Sequence, residues 1–353
     1  MRVIVVGGGV IGMLQARSLA QEGFDVSLID KGELGREASW AGGGIISPLY
    51  PWRYSEPVTA LASRSQALYP NLVSQIHQES GIDPEYSGHG LLMLKVSDER
   101  AALHWGQTYR PWLEHINTKA IYNLEPNLAE GHEQSLWMPD VGSIRNPRLL
   151  NALRAIMHAH PHIKVFESSP VQNFSANSIT LTTGETHAAD KIVFCSGAWT
   201  SGLLPQQAIK IEPVKGQMIV FDAPVGLVNR VVLSDGRYVI PRKDGKVVAG
   251  STLEYKGFDK LTDEDAKRSL FHSATKLFPG LANHTVIHHW AGLRPGSPEG
   301  IPTIGLLKGY ESVYVNAGHF RNGLVLAPAS VELLSSIIAN RSPKMPIDAY
   351  SAA

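Results

Sequence analysis

The chain has 353 residues, enough for about two domains. Its 32 Lys and Arg balance 32 Asp and Glu, so no global charge draws it to nucleic acid or an anionic membrane. Cys195 is the single cysteine, which excludes an internal disulfide and a cysteine-rich zinc site, and no apolar run approaches the ~20 residues that span a bilayer.

The first residues carry the clearest pattern. Val3–Val6 read as a parallel strand buried on both faces, followed by Gly7, Gly9 and Gly12 in the spacing G-x-G-x-x-G. Ile11, Leu14, Ser18 and Leu19 give one small or apolar face of a helix. A second strand, Val26–Ile29, ends at Asp30, 18 positions after Gly12. In this arrangement the first glycine permits a tight turn, the second lets backbone approach a pyrophosphate, and the third packs helix on strand. The diphosphate sits on free N–H groups at the helix start, with Val10 and Ile11 beside it, and Asp30 accepts hydrogen bonds from a ribose diol. An acid there disfavours a 2′-phosphate and so argues against NADP. The apolar start lacks a small-residue cleavage site, so it reads as this strand and not as a signal peptide, and a cytoplasmic protein is expected.

Beyond Asp30 and Lys31, the small residues of Ala38-Ser39-Trp40-Ala41-Gly42-Gly43-Gly44-Ile45 let backbone pass close to a flat ligand. Helical spacing predicts a helix over 57–80, interrupted at Pro70, and another from 97 to Pro111. Leu91–Leu94 reads as a strand, and Asn146-Pro147 opens a helix through His158. Residues 164–166, 171–174 and 178–182 are strand candidates; Lys191–Phe194 reads as a return to the first sheet, ending near Gly197. Short strands follow at 218–221, 231–233, 238–241 and 246–250, then a helix from Thr262, its N-cap, to Phe278. Trp290–Gly296 and Val313–Gly323 precede a terminal helix to Ala339. His288 and His289 alternate across a strand, which suits no metal site, and no metal is expected. The predicted fold is α/β, a Rossmann-like dinucleotide domain (1–82, 142–208 and 291–353) carrying a discontinuous β-rich substrate domain (83–141 and 209–290).

Arg294 and Arg321 each lie among glycines, where a guanidinium can be held against a pocket to pair bidentately with a carboxylate. Arg321 serves equally to shape its own loop, and Tyr238 equally as a core tyrosine bonded to backbone. Cys195 resembles a small core residue.

Taken together, Gly7–Gly12, Ala38–Gly44, Tyr238–Arg242, Trp290–Gly296 and Gly318–Gly323 resemble the glycine oxidase branch of the D-amino-acid oxidase-like FAD-dependent oxidoreductases, including thiamine-pathway enzymes. The resemblance spans nearly the whole chain. It implies non-covalent FAD, with Ala38–Ile45 along the flavin and Val171 at the adenine. The loop His319, Phe320, Arg321, Asn322, Gly323, Leu324 and Val325 stands at the flavin's N1–C2=O edge, with His319 in a positioning role. It further implies a small amino acid held by Arg294, Tyr238 and Arg321, hydride transfer to flavin, and oxygen as acceptor, giving hydrogen peroxide. Homo-oligomerisation and delivery of the imine product to a thiazole synthase are additional implications. Gly236 and Leu253 stand where some relatives carry histidine and methionine. The rivals are a dehydrogenase of the same fold passing electrons to a quinone or carrier protein, a dinucleotide-binding protein without turnover, and an NAD-dependent dehydrogenase.

Overall fold

In the computed structural model, which describes residues 1–110, 112–204 and 209–351, the apolar run at the N-terminus lies in the middle of a six-stranded sheet. The order across it is Thr303–Leu306, Val313–Ala317, Lys191–Phe194, Arg2–Val6, Asp25–Ile29 and Ile163–Phe166. Five neighbours run parallel, and Thr303–Leu306 closes one edge antiparallel to Val313–Ala317. Burial on both faces explains why these strands read as unbroken apolar runs. One face is covered by Val10–Gln21, Asn146–Ala159 and Gly323–Ile338, with Glu56–Ser80 joining the same core. The other face packs against a small sheet of Val171–Phe174, Ser178–Leu181 and Thr186–Ala188.

The second sheet has eight strands in the order Val286–Gly296, Glu212–Phe221, Val247–Gly250, Arg237–Pro241, Val231–Ser234, Leu91–Leu94, Gln134–Met138 and Glu114–Asn117. Its pairs are antiparallel except Val231–Ser234 with Leu91–Leu94. The two-residue period of a strand sorts its side chains. Ile219, Phe221 and Val239 join the core under the helix Glu264–Leu277, while Met218, Val220, Tyr238 and Ile240 form a separate core on the opposite face.

Four local expectations are corrected. The helix Glu56–Ser80 runs through Pro70 without a break. Proline removes one N–H from the ladder, and the buried face of Leu61, Ser65, Tyr69, Val73 and Ile76 holds the helix across that gap. Asp263, not Thr262, caps Glu264–Leu277, its carboxylate accepting from the Ala266 N–H at 2.8 Å. Glu114–Asn117, Thr118–Leu124 and Gln134–Met138 had no counterpart in the sequence pattern. The boundary drawn at 290/291 falls inside Val286–Gly296, which pairs with Glu212–Phe221 along its whole length. Pro111 and the boundary at 208 lie outside the described residues.

Candidate functional site

A cavity of about 420 Å³ opens between the carboxyl ends of the six-stranded sheet and the Tyr238 face of the eight-stranded one. Val6, Ile29, Cys195 and Ala317, at or just beyond the ends of four parallel strands, line it, the usual place for a ligand in an open α/β sheet. Every candidate cofactor- or substrate-contacting residue named from the sequence borders this cavity except Gly12, while Gly236 and Leu253 do not line it. Gly12 sits behind it: a Cβ there would stand 1.7 Å from the Gly7 carbonyl oxygen, so this glycine lets helix meet strand.

At the nucleotide end, Gly7 has φ +109° and its missing Cβ would meet the Cys195 carbonyl at 2.4 Å. The turn leads into Val10–Gln21, whose first-turn N–H groups have no partner within the helix. The Val10 N–H donates to Ser39 Oγ at 3.0 Å, which ties the Ala38–Ile45 segment to this helix start. Asp30 accepts from the Gly8 N–H (2.6 Å) and the Gly32 N–H (2.8 Å). Burial pushes its carboxyl above the usual range, and those two donors oppose the shift. Lys31 lies 3.2 Å over the Trp199 ring and pairs with Glu37 at 3.5 Å. Val171 and Gly197 complete this end.

The middle of the cavity is closed by stitching Ala38–Ile45 to the eight-stranded sheet. Trp290 Nε1 donates to Ala41 O (3.1 Å), and the Arg242 guanidinium donates to Gly43 O (2.8 Å) and Ile144 O (3.0 Å). Burial lowers the Arg242 pKa to about 10, still charged at neutral pH. The Gly43 site is too close to Tyr238 for a larger residue, since a Cβ would stand 3.0 Å from the ring. Arg242 and Trp290 stand in the sequence only as parts of motifs; their clamping role depends on partners 98 to 249 residues away.

Arg294 lies on Val286–Gly296 with its guanidinium crossing the neighbouring strand at Gly216, where a Cβ would come within 2.1 Å of Nη2. It donates to Lys215 O (3.2 Å), Thr252 O (3.2 Å) and Ser251 Oγ (2.9 Å). Three of five donors are thus used, and the rest suffice for a bidentate acceptor. Burial is the main influence lowering its pKa; Tyr238 opposes the shift and the nearby Arg321 charge adds to it. Tyr238 is buried, its hydroxyl donating weakly to Met218 Sδ at 3.7 Å with its oxygen turned to the Arg294 guanidinium. Arg321 is exposed at the same cavity. Gly216, Met218 and Ser251 escaped the sequence reading; a glycine inside an apolar strand was the available signal for Gly216.

His319 is fully buried and makes a 3.0 Å bond between Nε2 and Ser330 Oγ. The single Ser330 proton is given to Leu326 O (2.9 Å), so Nε2 carries the hydrogen and the ring is neutral. Burial lowers its pKa to about 3. The loop then enters Gly323–Ile338, whose positive end faces the cavity through Gly323, Leu324 and Val325. Cys195 is buried at the wall, and burial pushes its thiol pKa up.

Three buried amide atoms at the cavity wall, Asn146 Oδ1, Asn316 Oδ1 and Asn322 Nδ2, have no hydrogen-bond partner within the protein. Buried polar atoms of this kind call for a ligand with donors and acceptors of its own. With a glycine cradle at one end and a second helix N-terminus at the other, the cavity fits a flavin dinucleotide. Fold and cavity together define a dinucleotide-cofactor protein of the two-sheet α/β type.

The chain belongs to the FAD dependent oxidoreductase family, whose model matches residues 2–337. It is 45% identical over 349 residues to glycine oxidase of Pseudomonas aeruginosa, covering 97% of this chain and 96% of that one. It is 28% identical over 361 residues to the bifunctional protein ThiO/ThiG of a Synechocystis species, covering 99% of this chain and 53% of that protein. The crystal structure of glycine oxidase from Geobacillus kaustophilus matches with a TM-score of 0.91 at 27% identity, covering 100% of this chain and 98% of that one. FAD is accordingly the cofactor, and the protein is an enzyme. Among the described residues, no helix is long and apolar enough to cross a membrane.

Proposed function

We propose that the chain oxidatively deaminates glycine and similarly small amino acids, among them sarcosine and small D-amino acids. The observation that carries this is the pairing of Arg294 and Arg321 at one cavity, near enough to feel each other's charge, beside the Tyr238 hydroxyl. Asp30 and Glu37 are the acidic residues among the described lining, and both belong to the nucleotide end. A carboxylate therefore meets two cations without a competing anion, with Arg294 as anchor and Tyr238 and Arg321 assisting.

The same lining explains the state of the amine. No carboxylate at the Arg294 end stabilises an ammonium, so the substrate is held with its nitrogen neutral and its α-hydrogen ready to leave as hydride. Gly7, Gly9, Val10 and Ile11 would hold the pyrophosphate, Asp30 the ribose, and Val171 the adenine side. Ala38–Ile45 and His319–Val325 would flank the flavin, the helix end at Gly323 favouring negative charge there. The bound flavin supplies a hydride acceptor that returns its two electrons to oxygen as hydrogen peroxide. The imine then takes up water to give glyoxylate and ammonia, or passes to a thiazole synthase, a step suggested by the bifunctional relative. We place the enzyme in the cytoplasm as a homo-oligomer. The six-stranded sheet corresponds to the cofactor domain and the eight-stranded sheet, through Gly296, to the substrate domain.

The test is anaerobic bleaching of the purified flavoprotein with glycine, sarcosine, D-alanine, D-proline and the L-isomers, followed by oxygen uptake and peroxide assay. Bleaching by glycine with stoichiometric peroxide is expected. Bleaching without peroxide would favour a dehydrogenase, and a flavin that no amine reduces would favour a binding protein.

A further inference from the structure

Arg294 and Arg321 belong to different sheets, yet they must keep a fixed separation to share one carboxylate. Arg294 is on the last turn-ward stretch of Val286–Gly296, while Arg321 follows Val313–Ala317 of the six-stranded sheet. Three residues beyond Arg294 stands Ser297, and three before Arg321 stands Gly318. The Ser297 hydroxyl donates to Gly318 O at 2.5 Å. Side-chain volume enforces the same approach: Gly318 has φ +86°, and a Cβ there would stand 3.2 Å from Ser297 Cβ. The turn that Ser297 opens, Pro298–Gly300, leans on Phe320–Asn322, with a Gly300 Cβ falling 3.8 Å from the Phe320 ring. Both turns hold a non-glycine residue in left-handed backbone, Glu299 (φ +55°) and Phe320 (φ +46°). Such conformations persist only where surrounding contacts over-determine them.

We propose that Ser297 is a positioning residue for substrate: its bond to Gly318 clasps the two sheets at the cavity and sets the spacing of the Arg294 and Arg321 guanidinium groups. It touches neither substrate nor flavin and acts through the two arginines. The inference rests on the reading of these arginines as the carboxylate site. It assigns to Ser297 the separation of the two forks, which neither strand nor loop fixes alone.

The experiment uses the FAD-loaded enzyme and acetate, a carboxylate without an amine to oxidise, whose binding is followed by perturbation of the flavin absorbance. In Ser297→Ala, the acetate Kd and the KM for glycine are expected to rise together by about 3- to 10-fold, the range for one lost neutral hydrogen bond. kcat, the affinity for FAD and Tm should stay near wild type. Ser297→Thr keeps the hydroxyl in the same extended backbone and should restore both constants. Equal acetate binding by Ser297→Ala and wild type overturns the inference. So does a loss of FAD affinity and Tm that Thr fails to rescue, since that marks a merely structural contact. Arg294→Ala separates the two levels. If it binds acetate as wild type does, the carboxylate site itself is misplaced and the Ser297 role falls with it. If Arg294→Ala loses acetate while Ser297→Ala keeps it, the Ser297 role alone is wrong.

Discussion

At the nucleotide end, most groups facing the cavity come from one stretch, Gly7 to Lys31, joined by Glu37, Val171 and Gly197. At the other end, Tyr238, Arg294 and Arg321 are side chains brought from both sheets, and Arg294 is held by partners distant in sequence. In the proposed function, the first end recognises by the absence of atoms: glycines where a Cβ would collide, and N–H groups left free by a helix start. The second, in the same proposal, recognises by placed charge, with a guanidinium already spending three donors on the protein. Damage at the first end should therefore reach folding and FAD together, and damage at the second should reach substrate alone.

Gly12→Val gives the sharpest break. Its Cβ would overlap backbone, Gly7 O at 1.7 Å, with no flexible side chain to yield. Purified protein should lack flavin and lose more than about 4 kcal/mol of stability by thermal or urea melting. Flavin retained at wild-type stoichiometry would contradict the backbone account. Arg294→Ala should keep its flavin and Tm but lose about 3 kcal/mol in kcat/KM for glycine, roughly 150-fold. Gly216→Ala should fall between wild type and that variant, because the new methyl meets only the movable end of Arg294. A KM raised about 10-fold with unchanged flavin content is expected, and a loss of flavin would erase the contrast between the two ends.

This difference also governs what the sequence could disclose. The nucleotide end is local: strand, glycines, helix and acid stand in register within 30 residues, so spacing alone places Gly7, Gly9 and Asp30. Tyr238, Arg294 and Arg321 were reached through residue chemistry and a resemblance, and the cavity does gather them. What stayed hidden was non-local. Gly216 gains its meaning from Arg294 on the paired strand, Arg242 from Gly43 and Ile144, and Ser297 from Gly318. Strands Glu114–Asn117 and Gln134–Met138 were missed because four or five residues at a sheet end, with exposed polar positions, carry too little period. The Pro70 break failed for the opposite reason, since tertiary packing overrode a sound local rule.

His319 joins the two ends and should reveal itself through pH. Its folded pKa of about 3 lies below the unfolded value of roughly 6.5, so the unfolded chain binds the extra proton in that interval. Its contribution is therefore present above about pH 6.5 and is lost as pH falls toward 3. Between pH 7 and 5.5 it should account for about 1 kcal/mol of the decline in unfolding free energy. His319→Gln, which keeps a donor for Ser330 but does not titrate, should flatten that decline by roughly this amount. An unchanged slope in urea melts would show that the imidazole is not buried neutral.

The smallest effect tests whether the carboxylate end divides its labour unequally. Tyr238 donates its hydroxyl proton only to a weak 3.7 Å contact with Met218 Sδ, and Arg294 beside it keeps its bonds to Lys215 O, Thr252 O and Ser251 Oγ when the hydroxyl is removed. Tyr238→Phe keeps the ring against Gly43 and should leave FAD content and stability within about 0.5 kcal/mol of wild type. If the hydroxyl shares the carboxylate with Arg294, the variant loses one neutral-donor bond, about 1 kcal/mol, read as a roughly five-fold rise in the KM for glycine with kcat little changed. An equal loss in Tyr238→Phe and Arg294→Ala would instead mean that the two act as one unit, with neither holding the carboxylate alone. A KM identical to wild type would return Tyr238 to the core and leave the guanidinium groups to hold substrate by themselves.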